Sequence, residues 1–310
     1  MFLLYFLNEE DTIMSRLLWD QTGEKLYSTG VDRGVLYVNN GSAYENGVAW
    51  NGLTSFQTAS DGGTASAIYA DNIKYLNLIA TEDKKGTIKC YTYPDAWDRC
   101  NGKKTITGVK GLRISQQTRA TFGFSCRTLI GNDTEGTDFG YKLYLVYGAT
   151  ASPSDEEYQT VNDNPNAIEF SYEFNTVPVD VGVAGIKPCA IFEIVSTDFV
   201  TAEEQALLED LEDILYGTED TAARLPSIAE VITLLGGTAT YKLTMTQGAD
   251  TTLSVTKGAT ALADGADIKA GDVLTITVTG GTVTVNNVPF TSGNTITVAG
   301  NTVVVSTKSE

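Results

Sequence analysis

The chain has 310 residues, 39 acidic against 21 basic for a net charge of −18, with 42% hydrophobic and 19% charged residues. That composition is globular rather than disordered, and its acidity excludes a basic surface that neutralises nucleic-acid phosphates. Histidine is absent, which removes Ser-His-Asp and Cys-His catalysis and every histidine-ligated metal site.

Residues 1–7 (MFLLYFL) are apolar but lack a basic n-region and a small-residue cleavage site, so they do not read as a signal peptide. Met14-Ser15 is a better start, and residues 1–13 are expected to be an upstream-start extension with no part in the fold. No apolar run reaches the length of about 18 residues that a membrane helix needs, so no membrane partner is expected. Residues 35–38 read as a strand and Asn39-Asn40-Gly41 as a turn. Residues 47–93 form one β-rich stretch. Val48, Trp50, Leu53 and Phe56 supply bulk, Asp61-Gly62-Gly63 breaks the run, and extended structure resumes through Tyr69, Tyr75 and Tyr91 until Pro94 stops it.

Ala120, Phe122, Phe124, Cys126 and Ile130 share one face at period two, as do Tyr141, Leu143, Leu145 and Tyr147. Residues 148–165 are polar and carry Pro153, Asp155, Tyr158 and Asp163; they are expected to be a long loop of the kind that binds a partner. Ile168, Phe170, Tyr172 and Phe174 alternate again. Thr201 and Glu204 form a capping box ahead of the apolar stripe Leu207, Leu208, Leu211, Ile214 and Leu215, which predicts a helix over 202–215. Its other face, Glu203, Glu209, Asp210, Glu212 and Asp213, suits water. A short second helix is expected over 226–235, and Gly236-Gly237-Thr238 marks a domain boundary.

Beyond that boundary the chain is rich in Thr, Val and Gly and carries four lysines against five acidic residues, net −1. Gly280-Gly281 and Gly300-Asn301 sit between alternating segments and read as hairpin turns. Residues 238–310 are therefore expected to be a small all-β unit of about six or seven strands, similar in pattern to Ig-like and bacterial-repeat modules.

The chemistry-bearing motifs are few. There is no P-loop, G-x-G-x-x-G, G-x-S-x-G or C-x-x-C, and no catalytic, cofactor or metal residue is assigned. Cys90, Cys100, Cys126 and Cys189 are expected to be free thiols. Asn132-Asp133-Thr134-Glu135 and the acidic residues of 264–272 are read as turn chemistry rather than cation ligands. Trp50, Tyr69, Tyr91 and Tyr93 are read as core and interface aromatics rather than a sugar-binding strip.

Several strings, in order, carry a family resemblance. They are Leu17-Leu18-Trp19-Asp20, Gly47-Val48-Ala49-Trp50-Asn51-Gly52-Leu53, Tyr69-Ala70-Asp71-Asn72-Ile73-Lys74-Tyr75-Leu76, Tyr91-Thr92-Tyr93-Pro94-Asp95, Gly131-Asn132-Asp133-Thr134-Glu135-Gly136 and Tyr147-Gly148-Ala149-Thr150-Ala151-Ser152-Pro153-Ser154. From Met14 to about Leu235 the chain resembles the major tail (tail tube) proteins of siphophages that infect Gram-positive bacteria. Trp19, Trp50, Asn51, Gly52, Tyr69, Asp71, Tyr75, Tyr91, Pro94, Asn132, Gly136 and Gly148 are its signature positions.

The resemblance implies an α+β first domain (14–237) of two orthogonally packed antiparallel sheets flanked by an α-helix, followed by the Ig-like unit at 238–310. It implies a structural virion protein, not an enzyme, assembled in the bacterial host cytoplasm. Six copies form a ring and rings stack into the tail tube, around a tape measure protein, between the baseplate (distal tail protein) and a tail terminator. Viral DNA passes through without specific binding, and an acidic bore would ease its passage. Residues 1–13 are alternatively a short arm on a neighbouring subunit. The polar loops at Asn40, Gly41 and Tyr44 and at Pro153, Asp155, Tyr158 and Asp163 are the candidate assembly loops. The C-terminal unit is expected to project outward, as decoration or for weak adhesion to host-surface glycans. A β-module surface adhesin and a carboxylate-dependent polysaccharide hydrolase are the alternatives.

Overall fold

A computed structural model describes residues 17–80, 82–160, 167–183, 186–237, 240–298 and 300–308. The N-terminal extension, Asp163 and Thr238 at the expected boundary lie outside the described residues. In chain order the first part consists of β1 (Tyr27–Val38), β2 (Val48–Trp50), β3 (Leu53–Gly62), β4 (Ala65–Ala70), β5 (Ile73–Ile79), β6 (Glu82–Cys90), α1 (Trp97–Cys100), β7 (Lys104–Thr105), β8 (Arg113–Ile114), β9 (Phe122–Asn132), β10 (Gly136–Ala151), β11 (Phe170–Thr176), β12 (Ile191–Val195), α2 (Ala202–Tyr216) and α3 (Ile228–Leu234).

One eight-stranded sheet organises this part, in the order β2-β1-β9-β10-β11-β6-β3, with β12 also paired to β10. Its two end strands, β2 and β3, are consecutive in the chain and separated by Asn51-Gly52 alone, so the sheet must roll until its ends meet. Gly52 makes that corner at φ +74°, and a Cβ on Gly34 of β1 would sit 2.4 Å from the Leu53 side chain of β3. The rolled interior is filled by the inward rows that alternation marks out: Leu36 and Val38, Phe122, Phe124 and Cys126, Tyr172 and Phe174, Ile88 and Cys90, with Trp50. Trp97 of α1 plugs the same space, its ring centroid 4.7 Å from that of Trp50 and 5.0 Å from that of Phe122.

Besides β9, the 16-residue β10 serves two neighbours, Lys142–Val146 pairing with β12 and Ala149–Ala151 with β11. Gly148 stands between them at φ +59°, where a Cβ would lie 2.7 Å from the Val177 carbonyl oxygen. The expected loop over 148–165 thus begins as strand, and only the described residues from Ser152 onward leave it.

The outer face of β1 and β10 (Val35, Tyr37, Leu143, Leu145) takes the stripe of α2, where Leu208, Leu211 and Leu215 are buried. The Tyr37 hydroxyl donates to the Leu215 carbonyl at 2.7 Å, tying sheet to helix end. Both arms of the capping box form, Thr201 Oγ1 accepting from Glu204 N–H and Glu204 Oε2 from Thr201 N–H. Thr201→Ala is expected to lower stability by about 1 kcal/mol, measured as a shift in the urea midpoint without a change in slope. The acidic face, expected to be solvated, is not wholly so: Glu212 pairs with Arg33 at 3.1 Å, and beside it Arg127 grips Asp32 of β1 through Nε and Nη2.

The expected α+β class is corrected. Strands hold 49% of the described residues and helices 10%, in three α-helices, and the sheets are several. One strongly capped helix stands out in the 310-residue sequence, whereas the many short β segments depend on non-local pairings that leave a weaker local signal.

The C-terminal part contains β13 (Thr240–Thr246), β14 (Thr252–Lys257), β15 (Thr260–Leu262), β16 (Asp267–Lys269), β17 (Val273–Thr279), β18 (Gly281–Val285), β19 (Val288–Phe290), β20 (Thr295–Thr297) and β21 (Thr302–Lys308). These are nine described strands rather than six or seven. They form a five-stranded sheet, β16-β13-β21-β18-β19, and a four-stranded sheet, β15-β14-β17-β20. Both line one core of Leu243, Val255, Leu274, Ile276, Val283 and Val304 among others. The two glycine turns do not close hairpins: β17 and β18 belong to different sheets, as do β20 and β21, so each turn carries the chain across the core. Alternation on both sides of a turn is common to a hairpin and to a sheet-to-sheet crossing, and only the pairing separates them.

Candidate assembly surface

The β3–β6 ladder runs in register out to Gly62 opposite Glu82, and the same two chain segments then continue beyond the sheet as β4 and β5. Gly62 and Gly63, both at positive φ, break the first segment. Asp71 and Asn72 close the tip with φ of 51° and 61°, the two left-handed residues of a type I′ hairpin turn. Among the described residues β4 and β5 pair with each other and no other strand.

This arm exposes a run of large apolar side chains. Tyr69 and Tyr75 are 69% and 68% accessible, and Ile68, Ile73, Leu76, Leu78 and Ile79 are exposed as well. The bulge between Ile68 and Tyr69 puts Ile73, Leu76 and Leu78 on the face of Ile68, and Ile79 with Lys74 and Asn77 on the face of Tyr69, so each face exposes large apolar groups. Among the described residues neither outer edge has a strand to pair its backbone groups. An isolated two-stranded hairpin is marginal in water. Burying side chains of this size contributes roughly 1.5–3 kcal/mol each, so covering the arm would yield more than enough to hold it in place.

Two further exposed apolar segments lie elsewhere. Leu17, Leu18 and Trp19 precede β1, where the chain is tethered by Gly23 N–H donating to Asp133 Oδ1. Ile106, Val109 and Leu112 stand on the loop joining β7 to β8, interleaved with Lys104 and Lys110.

The other signature positions divide by role. Trp50 is buried and donates from Nε1 to the Thr92 carbonyl at 3.0 Å. Asn51 and Gly52 form the corner already described. Tyr91 is exposed on the segment that ends at Pro94, whose carbonyl accepts from Trp97 N–H to start α1. Asn132 Oδ1 accepts from the Thr134 and Glu135 amides, and Gly136 completes that turn at φ +65°, so this string is turn chemistry. Asp264 likewise accepts from Met245 N–H, and the described residues hold no cluster of metal-ligating side chains.

Of the polar loops, the first is less free than expected. Asn40 Oδ1 accepts from the Ser42 and Ala43 amides and Gly41 caps the bend, but Tyr44 turns inward, its hydroxyl accepting from Gly148 N–H and its ring against Tyr147. In the second, Glu156 pairs with Lys103, and Pro153, Asp155 and Tyr158 are exposed. The aromatic strip does not exist as one surface: Trp50 is inside, Tyr93 half-buried against Phe170 and Tyr172, and Tyr69 out on the arm.

Chemical groups near clefts are tied down. Asp95 and Asp98, beside the β7–β8 loop, share one guanidinium, Arg113 reaching them at 2.5 and 2.6 Å. Burial raises the Asp98 carboxyl above its ordinary range, with Arg113 opposing. Burial also pushes the Cys90 thiol up to about 11 and that of Cys100 up to about 12, so neither offers a thiolate near neutrality. No described helix is long and apolar enough to cross a membrane. No protein-family model and no curated protein matches the chain.

Proposed function

We propose that this chain is a self-assembling structural protein of a phage tail, polymerising as stacked hexameric rings into the tube through which viral DNA is delivered. The observation that carries the reading is the β4–β5 arm, which exposes large apolar groups on both faces and, among the described residues, pairs with no other strand. A surface of that kind in every copy is the material of a repeating contact. A head-to-tail contact whose rotation closes makes a ring, and one that does not close makes a filament. The ordered family strings from Leu17 to Ser154 supply the identity of the filament, and two of them, Trp19 and the Tyr69–Leu76 run, lie on the exposed apolar segments.

In this reading the tape measure protein, terminator and baseplate are the other partners, and the virion is the destination. The C-terminal unit stands on the outside of the tube, available for adhesion. Sedimentation velocity over a concentration series tests the assembly: species at six copies and above are expected, and a protein that stays monomeric even when seeded with sheared tubes of the same particle would contradict it. Because the C-terminal sheets close their own core, deletion of 238–310 should leave assembly within about twofold of the full chain by light scattering.

A further inference from the structure

The loop joining β7 to β8 is a basic, apolar tongue on an acidic chain. Residues 103–119 hold Lys103, Lys104, Lys110, Arg113 and Arg119 and no carboxylate, in a chain of net −18. The base of the tongue is fixed: Lys104 and Thr105 pair with Ile114 and Arg113, Arg113 binds Asp95 and Asp98, and Lys103 binds Glu156. Gly108 and Gly111, at φ +84° and +75° with open space around them, turn its tip. There Ile106, Val109 and Leu112 are exposed, and Lys104 and Lys110 make no ion pair among the described residues.

A groove of matching chemistry lies at the other end of the sheet. Asp138 and Phe139 come from the start of β10, Phe199 and Val200 lead into α2, and Leu208 and Glu209 belong to that helix, around a cleft of about 510 Å³. Val200 is 77% exposed. Asp138 and Glu209 are exposed too and make no ion pair among the described residues. Register separates tongue from groove. The tongue feeds β9 at Phe122, opposite Ala149, whereas the groove begins at Gly140, opposite Ile130, about 27 Å away along the strands.

We propose that the tongue of one copy docks in the β10–α2 groove of a second copy. The proposal rests on the self-assembly described above and names the two halves of one of its contacts. Copies of net −18 repel each other, so close approach is favoured where a basic projection meets unpaired carboxylates. Lys104 and Lys110 supply the charge for Asp138 and Glu209, and the exposed aliphatic tips supply anchors for a floor of Phe139, Phe199, Val200 and Leu208. A polyanion would use the lysines alone and leave three apolar side chains in water. With tongue and groove at opposite ends of one molecule the contact is heterologous: each copy offers one tongue and receives another, so the series extends head to tail.

Charge exchange in the full chain tests this by sedimentation velocity, with circular dichroism to confirm that each variant is folded. Lys104→Glu with Lys110→Glu, or Asp138→Lys with Glu209→Lys, should each weaken self-association about tenfold or more, because like charges then meet in the contact. An equimolar mixture of the two variants should recover to within about threefold of the wild type, since reversed tongues meet reversed grooves and unaltered tongues meet unaltered grooves. Lys242→Glu with Lys308→Glu, the same change of net charge on the C-terminal unit, should leave association unchanged. Tongue and groove variants that associate like the wild type, or a mixture that does not recover, would overturn the proposal. A wild type that stays monomeric overturns the contact as well, and the seeded assembly described above then decides the tube separately. Tubes are scored in the same samples by electron microscopy: charge-dependent association without tubes keeps the contact and removes the tail-tube reading, whereas tubes indifferent to charge exchange do the reverse.

Discussion

Replacing the arm residues 65–79 by a short Gly-Ser turn should abolish polymerisation, with the scattering signal of assembled protein falling at least a hundredfold. The melting temperature of the monomer should move by no more than about 2 °C. Both halves follow from the same geometry. The arm contributes no residue to any of the three hydrophobic cores, so its loss removes little from the folded monomer. Its exposed Ile68, Tyr69, Ile73, Tyr75, Leu76, Leu78 and Ile79 would supply the apolar area of the proposed contact between copies. A milder pair, Tyr69→Ser with Tyr75→Ser, should raise the critical concentration at least tenfold, because truncated aromatic anchors cost more than about 1.4 kcal/mol of contact energy. Unchanged assembly in the arm deletion, seen by scattering and by sedimentation, would show that the arm is an ornament.

The largest loss of stability is expected at the other end of the rolled sheet, from Trp97→Ala. Trp97 is fully buried, its ring centroid 4.7 Å from Trp50, 5.0 Å from Phe122 and 5.1 Å from Tyr172. It comes from a one-turn helix that has no stability of its own and is held by this packing. Truncation removes the indole and leaves a cavity that aromatic neighbours on fixed strands cannot collapse into, a cost of about 3–5 kcal/mol. Chemical denaturation reads it directly. A loss below about 1 kcal/mol would mean that the rolled interior repacks freely.

The half-buried strands were legible because their alternation is local: Phe122, Phe124 and Cys126, or Tyr172 and Phe174, are inward in the fold as their spacing implies. Thr201 and Glu204 announced the helix start for the same reason, since a capping box involves four consecutive residues. What failed was everything set by pairing between distant segments. Trp97 gave no periodic signal, because a helix of four residues has no face to repeat. The arm 65–79 carries strand-forming residues like those of the sheet, and composition cannot say that both of its faces lack a cover. Glu212 shared its helix face with carboxylates that stay in water and differs by the presence of Arg33 across 179 positions. The Gly280 and Gly300 turns look like hairpins locally and cross between sheets for the same cause. A capped helix is legible from a few neighbouring residues and the sheets are not, so the sequence looks more helical than the mostly β fold it makes.

The measurement that bears most directly on the central claim is negative-stain electron microscopy of the purified full chain, concentrated from monomer and seeded with short tubes sheared from natural particles. Hollow tubes built from six-fold rings, lost when residues 65–79 are replaced, are the predicted result. Monomers that neither form rings nor add to the seeds would contradict it.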